Sequence, residues 1–353
     1  MNNSRVSKII SDFLKDPFEG FLVTSRTNCT YLTGFTGSNG YLLVTQSNAV
    51  LFTDSRYIQQ AALQCPELDV KMISASHRSL VDVVLKNRLN TIYIEPDHIS
   101  LSEYQTIKNA FGGNISLKDD KKHIVECYRS TKDPTEICNI AKAVEFSDFA
   151  LSRAMSFIEP GIKEVQISNL IMETLLEIGS EGVAFDTIVG TGSNAAIPHH
   201  TPDHTVIQDP DHVVIDMGAV YQGYRSDITR TVKVGKSRDS RFDEIYGIVL
   251  EAQLCAIKAS EPGIPANSLD TVAREVIIRY GYGEYFSHGL GHGVGLDVHE
   301  KPMVVKSSVD IIDIGSVFTV EPGIYIPGWG GVRIEDMVLL EESGPVVLTK
   351  TPK

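Results

Sequence analysis

Apolar and polar positions alternate along the first part of the chain in a way that predicts short strands and helices. Apolar runs bounded by turn residues predict strands over residues 20–24, 40–45, 49–53 and 91–95. Apolar residues at helical spacing predict helices over residues 4–14, 56–64 and 80–88. Strands that alternate with helices in this way are typical of a small α/β domain.

A different pattern begins near residue 130, and it occurs twice. Each copy has two helical segments separated by Glu-Pro-Gly-Ile, at residues 159–162 or 261–264, followed by two apolar strands. The segments of the first copy are residues 134–158, 165–178, 185–190 and 212–220. Those of the second copy are residues 242–259, 269–280, 316–325 and 332–340. The repeated order predicts an internal duplication, with two related α/β halves packed around one site.

Residues 288–300 read His-Gly-Leu-Gly-His-Gly-Val-Gly-Leu-Asp-Val-His-Glu and combine three histidines with four glycines. So many glycines are costly inside a helix or a core strand, so we expect a tight turn or a close approach of another group. Histidine is the commonest metal ligand and the usual proton carrier near neutral pH. The alternative is a glycine-rich surface loop that happens to carry histidines.

Four acidic residues lie in or beside the apolar strands of the two copies. Asp216 and Asp227 belong to the first copy, and Glu321 and Glu335 belong to the second. A carboxylate among apolar strand residues is costly unless it is paired or bound to a cation, so a buried salt bridge is the alternative for each. Together with His292, which lies between the copies in sequence, the four provide what a two-metal site requires. Oxygen-rich ligation with one imidazole suits manganese, cobalt, iron or zinc.

Composition narrows the classes of function that fit the chain. At 353 residues the chain is long enough for two domains, and its formal net charge of −13 argues against nucleic acid or an anionic membrane as the main partner. The five cysteines are scattered without CxxC spacing, which is typical of a reduced, cytoplasmic protein. Because no apolar signal region or membrane-spanning run is present, we expect a cytoplasmic protein without membrane association.

The run at residues 288–300 resembles the signature of the proline-specific branch of the pita-bread metallopeptidases, which comprises aminopeptidase P and prolidase. Residues 216–218, 227–230, 319–323 and 333–336 are similar to the family's other motifs and occur in the family's order. The resemblance is strong from about residue 130 onward and looser before it. It implies a hydrolase that acts on short peptides with proline in the second position.

For the architecture, the resemblance implies a creatinase-type α/β N-terminal domain over residues 1–128. It implies an α+β pita-bread catalytic domain with internal pseudo-duplication over residues 129–353. It further implies a homodimer and two divalent metal ions per chain, with Mn²⁺ the first choice and Co²⁺, Zn²⁺ or Fe²⁺ as alternatives.

The resemblance also implies roles for individual residues. The ligands of the two metal ions would be Asp216, Asp227, His292, Glu321 and Glu335. The catalytic residues would be His199, His288, His299, Glu321 and Arg333. Asp227 and Glu335 would bridge the two ions, Glu321 would also carry a proton, and His199 and His299 would contact the substrate. The motifs leave out three histidines that are expected to face solvent: His200, His204 and His212.

Several functions remain open on this basis. A metal-free hydrolase of the creatinase type or a non-catalytic binding protein could share the fold, but neither would need the complete ligand set. Methionine aminopeptidase shares the metals but usually lacks this N-terminal domain and this form of the signature. Aminopeptidase P and prolidase share the metal centre. The sequence contains no identifiable clamp for the terminal carboxylate of a dipeptide, which favours aminopeptidase P over prolidase.

Overall fold

A computed structural model of the chain describes residues 4–74, 76–235 and 240–353. The chain divides into two units, Met1–Tyr128 and Arg129–Lys353. Among the helices of the described ranges, none is both long enough and apolar enough to cross a membrane.

The first unit is built on one mixed sheet. Its strands are β1 (Glu19–Val23), β2 (Gly40–Thr45), β3 (Ala49–Thr53), β4 (Asp69–Met72), β5 (Thr91–Ile94) and β6 (Ser116–Asp119). They lie in the order β4-β3-β2-β1-β5-β6. Strand β2 is antiparallel to both of its neighbours, while the outer pairs are parallel. The sequence pattern missed β4 and β6 because edge strands are only partly buried and therefore carry no continuous apolar run.

The helices that go with this sheet are α1 (Ser4–Asp12), α2 (Arg26–Thr33), α3 (Ile58–Gln64), α4 (Arg78–Lys86), α5 (Leu101–Ala110) and α6 (Ile124–Arg129). The apolar residues of α4, α5 and the central strands form one buried core, which includes Leu43, Phe52, Leu80, Ile92 and Ile107. Helix α3 begins two residues later than the apolar pattern predicts. The reason is that the Asp54 carboxylate accepts a hydrogen bond from the Arg56 backbone nitrogen at 2.9 Å and holds a turn there.

The first half of the second unit packs two helices on a three-stranded antiparallel sheet, β11-β8-β7. Its elements are α7 (Pro134–Phe157), α8 (Glu164–Glu177), β7 (Ile188–Thr191), a 3₁₀ turn (Gly192–Ala196), β8 (Asp211–Met217), β9 (Val220–Tyr221), β10 (Tyr224–Arg225) and β11 (Ile228–Val234). Asp133 caps α7 by accepting hydrogen bonds from the Thr135 and Glu136 nitrogens, and Pro134 occupies the first position of the helix.

The second half repeats this plan around a five-stranded sheet, β14-β13-β16-β19-β20. Its elements are α9 (Ser240–Ala259), β12 (Ile264–Pro265), α10 (Ala266–Arg279), a 3₁₀ turn (Gly283–Tyr285), β13 (Gly291–Gly293), β14 (Glu300–Val304), β15 (Ile311–Ile312), β16 (Val317–Val320), β17 (Gly323–Ile326), β18 (Gly330–Arg333), β19 (Asp336–Glu341) and β20 (Gly344–Val347).

The two Glu-Pro-Gly-Ile segments occupy equivalent places, which supports the predicted duplication. Gly161 turns the chain between α7 and α8 with a φ of +100°, and Gly263 turns it between α9 and α10 with a φ of +84°. Each glycine donates its backbone hydrogen to an isoleucine carbonyl, that of Ile207 or Ile312, at 2.9 Å. A left-handed φ favours glycine, and proline before it suits the helix end.

The structure divides two strands that the apolar pattern predicts as continuous. The predicted strand 316–325 is divided into β16 and β17 at Glu321, and 332–340 is divided into β18 and β19 at Glu335. At both places the backbone leaves the hydrogen-bonding pattern of its own strand pair and bonds to another segment. The Glu321 nitrogen donates to the Leu290 carbonyl at 2.8 Å, and the Glu335 nitrogen donates to the Thr229 carbonyl at 3.1 Å. Both interruptions therefore fall on predicted metal ligands.

Candidate active site

The sheets bring the acidic residues predicted from the sequence to neighbouring strand ends. Asp216 lies on β8, and Asp227 directly precedes β11, the antiparallel neighbour of β8. In the second half Glu321 directly follows β16, and Glu335 directly precedes β19, which pairs with β16. His292 is the central residue of β13, next to β16.

The five side chains converge within the second unit. Asp227, His292 and Glu335 place ligand atoms within 4.8 Å of one another. The Nε2 atom of His292 lies 3.7 Å from Asp227 Oδ2 and 3.3 Å from Glu321 Oε1. Asp216 and Glu321 line the same cavity as these three residues. The structure therefore brings together every residue that the sequence proposed as a ligand.

The charge of this cluster fits a site for divalent cations. Burial, followed by repulsion from Glu335 and Asp216, raises the pKa of Asp227 well above its ordinary value. Burial and the charge of Glu321 do the same to the pKa of Glu335. Within the described part of the chain, the buried Oδ1 atoms of Asp216 and Asp227 have no hydrogen-bond partner. Buried oxygens that repel one another and lack donors are suited to bound cations, which supply both the charge and the contacts.

Glu321 titrates differently from the other acids. Burial by itself would raise its pKa, but the hydrogen bond and charge of His292 outweigh burial and lower the pKa to about 2. The Thr319 hydroxyl donates a further hydrogen bond to Glu321 Oε1 at 3.3 Å. Glu321 is therefore charged at neutral pH, as a carboxylate ligand of a cation must be.

A chain of hydrogen bonds links Asp216 to His288. Arg333 donates from Nη2 to Asp216 Oδ2 at 2.7 Å and from Nη1 to the Tyr325 hydroxyl at 2.8 Å. His288 Nδ1 lies 2.7 Å from the Gly289 carbonyl, which can only accept, so Nε2 accepts from the Tyr325 hydroxyl at 2.8 Å. Burial lowers the pKa of His288, in keeping with a neutral ring. Arg333 and His288 are thus held in place by Tyr325, a residue that the sequence did not single out.

A cavity of about 480 Å³ opens onto the carboxylate cluster. His199 and His299 are exposed residues on its wall, and the His299 ring centroid lies 4.1 Å from that of His292. Much of the remaining wall is apolar, with Phe185, Ile188, Pro198, Pro202, Val298, Met303 and Val305. The cavity therefore offers two imidazoles and an apolar surface next to the acids.

Two of the three histidines expected to face solvent are placed differently. His212 is 4% exposed and packs its ring 4.7 Å from Trp329 and 5.4 Å from Phe242. It begins the buried stretch of β8, where the side chain is covered by aromatic residues from the second half. His200 is half-buried, lines the cavity and lies 2.8 Å from a carboxylate oxygen of Glu164. Only His204 is exposed as expected.

The glycines of residues 288–300 allow strands to approach closely. A Cβ atom on Gly291 would lie 2.1 Å from the Thr319 carbonyl oxygen, and one on Gly293 would lie 2.2 Å from that of Lys301. His292 lies between these two glycines on β13. Its position at the acids therefore depends on a backbone packed more tightly than any side chain would permit.

Known proteins resemble the chain along nearly its whole length. Residues 138–342 match metallopeptidase family M24, and residues 5–129 match the creatinase/prolidase N-terminal domain. An Xaa-Pro dipeptidase of Pyrococcus horikoshii is 38% identical, over 99% of this chain and 98% of that protein. A solved Xaa-Pro dipeptidase from Bacillus anthracis has a TM-score of 0.93 at 35% identity, covering 99% of this chain and 98% of that one. A solved X-Pro aminopeptidase from Thermotoga maritima has a TM-score of 0.88 at 37% identity, with the same coverage.

The matched region contains all the converging acids and His292, and it spans more than half of the chain. The fold of the solved relatives extends over both units. A creatinase-type N-terminal domain is thus followed by a pita-bread catalytic domain, and the chain belongs to metallopeptidase family M24.

Proposed function

We propose that the chain is a dinuclear metal-dependent Xaa-Pro dipeptidase. The proposal rests on the convergence of the acids and His292 in one cavity, in a chain 38% identical to a protein named Xaa-Pro dipeptidase. Two divalent cations, manganese first and cobalt, zinc or iron as alternatives, would be held by Asp216, Asp227, His292, Glu321 and Glu335. When bound, the ions would polarise the scissile carbonyl and lower the pKa of the attacking water.

The residues around the ions would provide the remaining chemistry. Glu321, which lines the cavity beside the proposed ions, would take the proton from the attacking water. His199 and His299 would donate hydrogen bonds to the carbonyl oxygen and to the leaving prolyl nitrogen, because both lie on the cavity wall. Arg333 would orient Asp216 through its 2.7 Å contact.

The apolar wall supports specificity for proline. The proline nitrogen carries no hydrogen and the ring fixes φ, so a site for this bond needs a surface for the ring instead of an amide partner. Phe185, Ile188, Val298, Met303 and Val305 provide such a surface beside His299.

A second candidate, Xaa-Pro aminopeptidase, is favoured by one feature of the cavity. Among the described residues that line it, Arg333 is the sole lysine or arginine, and Asp216 and Tyr325 already occupy its guanidinium group. A dipeptide would place its terminal carboxylate in this cavity without a cation to receive it. The sequence pattern favoured this candidate, but the dipeptidase relatives support the first proposal more strongly.

The experiment is a substrate panel with manganese supplied: Ala-Pro, Ala-Pro-Ala, Ala-Ala and Ala-Ala-Ala at equal concentration. The proposal predicts that Ala-Pro is cleaved with the highest kcat/KM. Faster cleavage of Ala-Pro-Ala would establish the aminopeptidase instead. Preference for the peptides without proline would refute both candidates.

A further inference from the structure

Glu164, the first residue of α8, has no exposed surface and is the point where the two ends of a loop meet. Its Oε1 accepts hydrogen bonds from the Thr191 backbone nitrogen at 2.8 Å and from Asn194 Nδ2 at 3.0 Å. Its Oε2 accepts from His200 Nε2 at 2.8 Å and from the Asp203 backbone nitrogen at 3.2 Å. One buried carboxylate thus holds four donors from residues 191–203.

The backbone reinforces this attachment. The Glu164 nitrogen donates to the Thr205 carbonyl at 3.2 Å, and the Val165 nitrogen donates to the Asp203 carbonyl at 3.1 Å. The start of a helix stabilises a negative charge, which suits a buried carboxylate there. The loop between these attachments carries the cavity-lining residues Pro198, His199, His200, Thr201 and Pro202.

Glu164, His200 and Asp203 also place possible ligand atoms within 4.8 Å of one another, as a metal site would. However, each Glu164 oxygen already accepts two hydrogen bonds. Three of the four donors are backbone or amide N–H groups, which point their positive hydrogens at the carboxylate and cannot act as ligands of a cation. The cluster is therefore an anchor, in which the hydrogen bonds to Glu164 hold the loop of residues 191–203 in place.

We propose that Glu164 is a positioning residue that holds His199 at the substrate. This inference rests on the proposed function, in which His199 contacts the scissile group. Glu164→Gln keeps the size of the side chain but replaces one acceptor oxygen by an NH₂ group. That group faces two donors, so two of the four hydrogen bonds are lost. Because a displacement of about 1 Å can cost roughly 100-fold in rate, we expect kcat/KM to fall by about 10- to 100-fold.

The test is a double-mutant cycle with His199→Ala on whichever peptide of the panel the wild-type enzyme cleaves best. If Glu164 acts through His199, E164Q lowers kcat/KM in the wild-type background but by less than about twofold in the H199A background. An equal fold loss in both backgrounds would overturn the proposal. Glu177→Gln is the matched control, since Glu177 lies on the same helix in an exposed ion pair with Arg153, and it should leave kcat/KM unchanged.

Asn194→Ala provides a milder variant if E164Q does not fold, because it removes one donor and leaves three. Its smaller loss should likewise vanish in the H199A background, and persistence there would again overturn the proposal. Hydrogen–deuterium exchange gives a readout that needs no substrate. The amide that faces the new NH₂ group, that of Thr191 or that of Asp203, should exchange faster in E164Q than in E177Q. Unchanged exchange at both amides would overturn the proposal that Glu164 holds this loop. A wild-type enzyme inactive on every peptide would refute the proposed function alone.

Discussion

The Thr229 hydroxyl donates a 2.8 Å hydrogen bond to Glu335 Oε2 and so ties the first half of the second unit to a carboxylate of the second half. The Thr229 hydroxyl oxygen itself accepts a hydrogen bond from Arg333 Nε at 3.0 Å, and the Thr229 carbonyl accepts one from the Glu335 nitrogen at 3.1 Å. Thr229 has no exposed surface. A single buried side chain therefore orients both a proposed bridging ligand and the arginine that pairs with Asp216.

Removing this hydroxyl should weaken metal binding. Thr229→Val keeps the shape of the side chain but leaves Glu335 without its donor, and loss of such a supporting contact typically lowers metal affinity by about 10- to 100-fold. Titration of T229V with manganese, monitored by calorimetry and by activity, should show weaker metal affinity than the wild type. Turnover should be restored at excess metal. Thr229→Ser retains the hydroxyl and should bind like the wild type. Equal affinity in T229V would contradict the role assigned to Thr229.

Removal of the metals should abolish activity and lower thermal stability, because the repelling acids lose the cations that bind only the folded state.

Asp227→Asn should separate the effect of metal removal on activity from its effect on thermal stability. The raised pKa of Asp227 means that charging this group opposes folding of the metal-free protein. The protonated Asp227 side chain therefore contributes stability to the metal-free protein at acidic pH. This contribution is lost as the pH rises through the pKa that Asp227 has in the folded state. Metal-free D227N should therefore melt a few degrees above metal-free wild type at neutral pH, yet remain inactive with metal.

The measurement for this prediction is thermal unfolding of chelated protein at pH 7.5 and near pH 4, with metal content counted per chain. The stabilisation in D227N should shrink as the pH is lowered. Asp243→Asn, at an exposed ion pair with Lys233, should leave activity and the melting temperature close to wild type. Full activity in metal-free wild-type protein would refute the two-metal proposal.

His299→Ala should reduce turnover without loss of metal. His299 lies on the cavity wall beside His292 rather than among the converging ligand atoms. Removing one donor to the transition state typically costs about 10²–10³ in kcat. Metal analysis and kcat on Ala-Pro would be compared with those of His204→Ala, an exposed histidine that should tolerate the change. Metal loss in H299A would make His299 a ligand or a structural residue instead.

Gly291→Ala should damage the site through the backbone. The new Cβ would lie 2.1 Å from the Thr319 carbonyl oxygen, so β13 and His292 must shift away from β16. Overpacking of this kind lowers the free energy of unfolding by about 1–3 kcal/mol, and metal affinity should fall as well. Gly247→Ala is the opposite control: Gly247 is exposed in α9 with open space at its Cβ position. G247A should raise the free energy of unfolding by about 0.5–1 kcal/mol. Denaturant titration would measure both variants.

The local pattern was sufficient for most of the fold. The central strands of the first unit, the helix pairs of the second unit and the duplicated Glu-Pro-Gly-Ile turns all follow from apolar periodicity and turn chemistry, which act over neighbouring residues. Edge strands β4 and β6 did not, because they bury too little apolar surface to leave a pattern. The homodimer and the cytoplasmic location inferred from the sequence stay predictions.

By itself, the sequence determined which acids and histidines are candidates, since Asp216, Asp227, His292, Glu321 and Glu335 belong to recognisable motifs. Their distances, and the fate of the other histidines, were decided by tertiary structure. Strand breaks at Glu321 and Glu335 depend on backbone partners in other segments, the carbonyls of Leu290 and Thr229. Thr229, Tyr325 and Glu164 act through hydrogen bonds between residues far apart in sequence, as in the contact from Thr229 to Glu335 across 106 positions. A pattern of neighbouring residues carries no record of such contacts, because they form only when separate segments of the folded chain pack against each other.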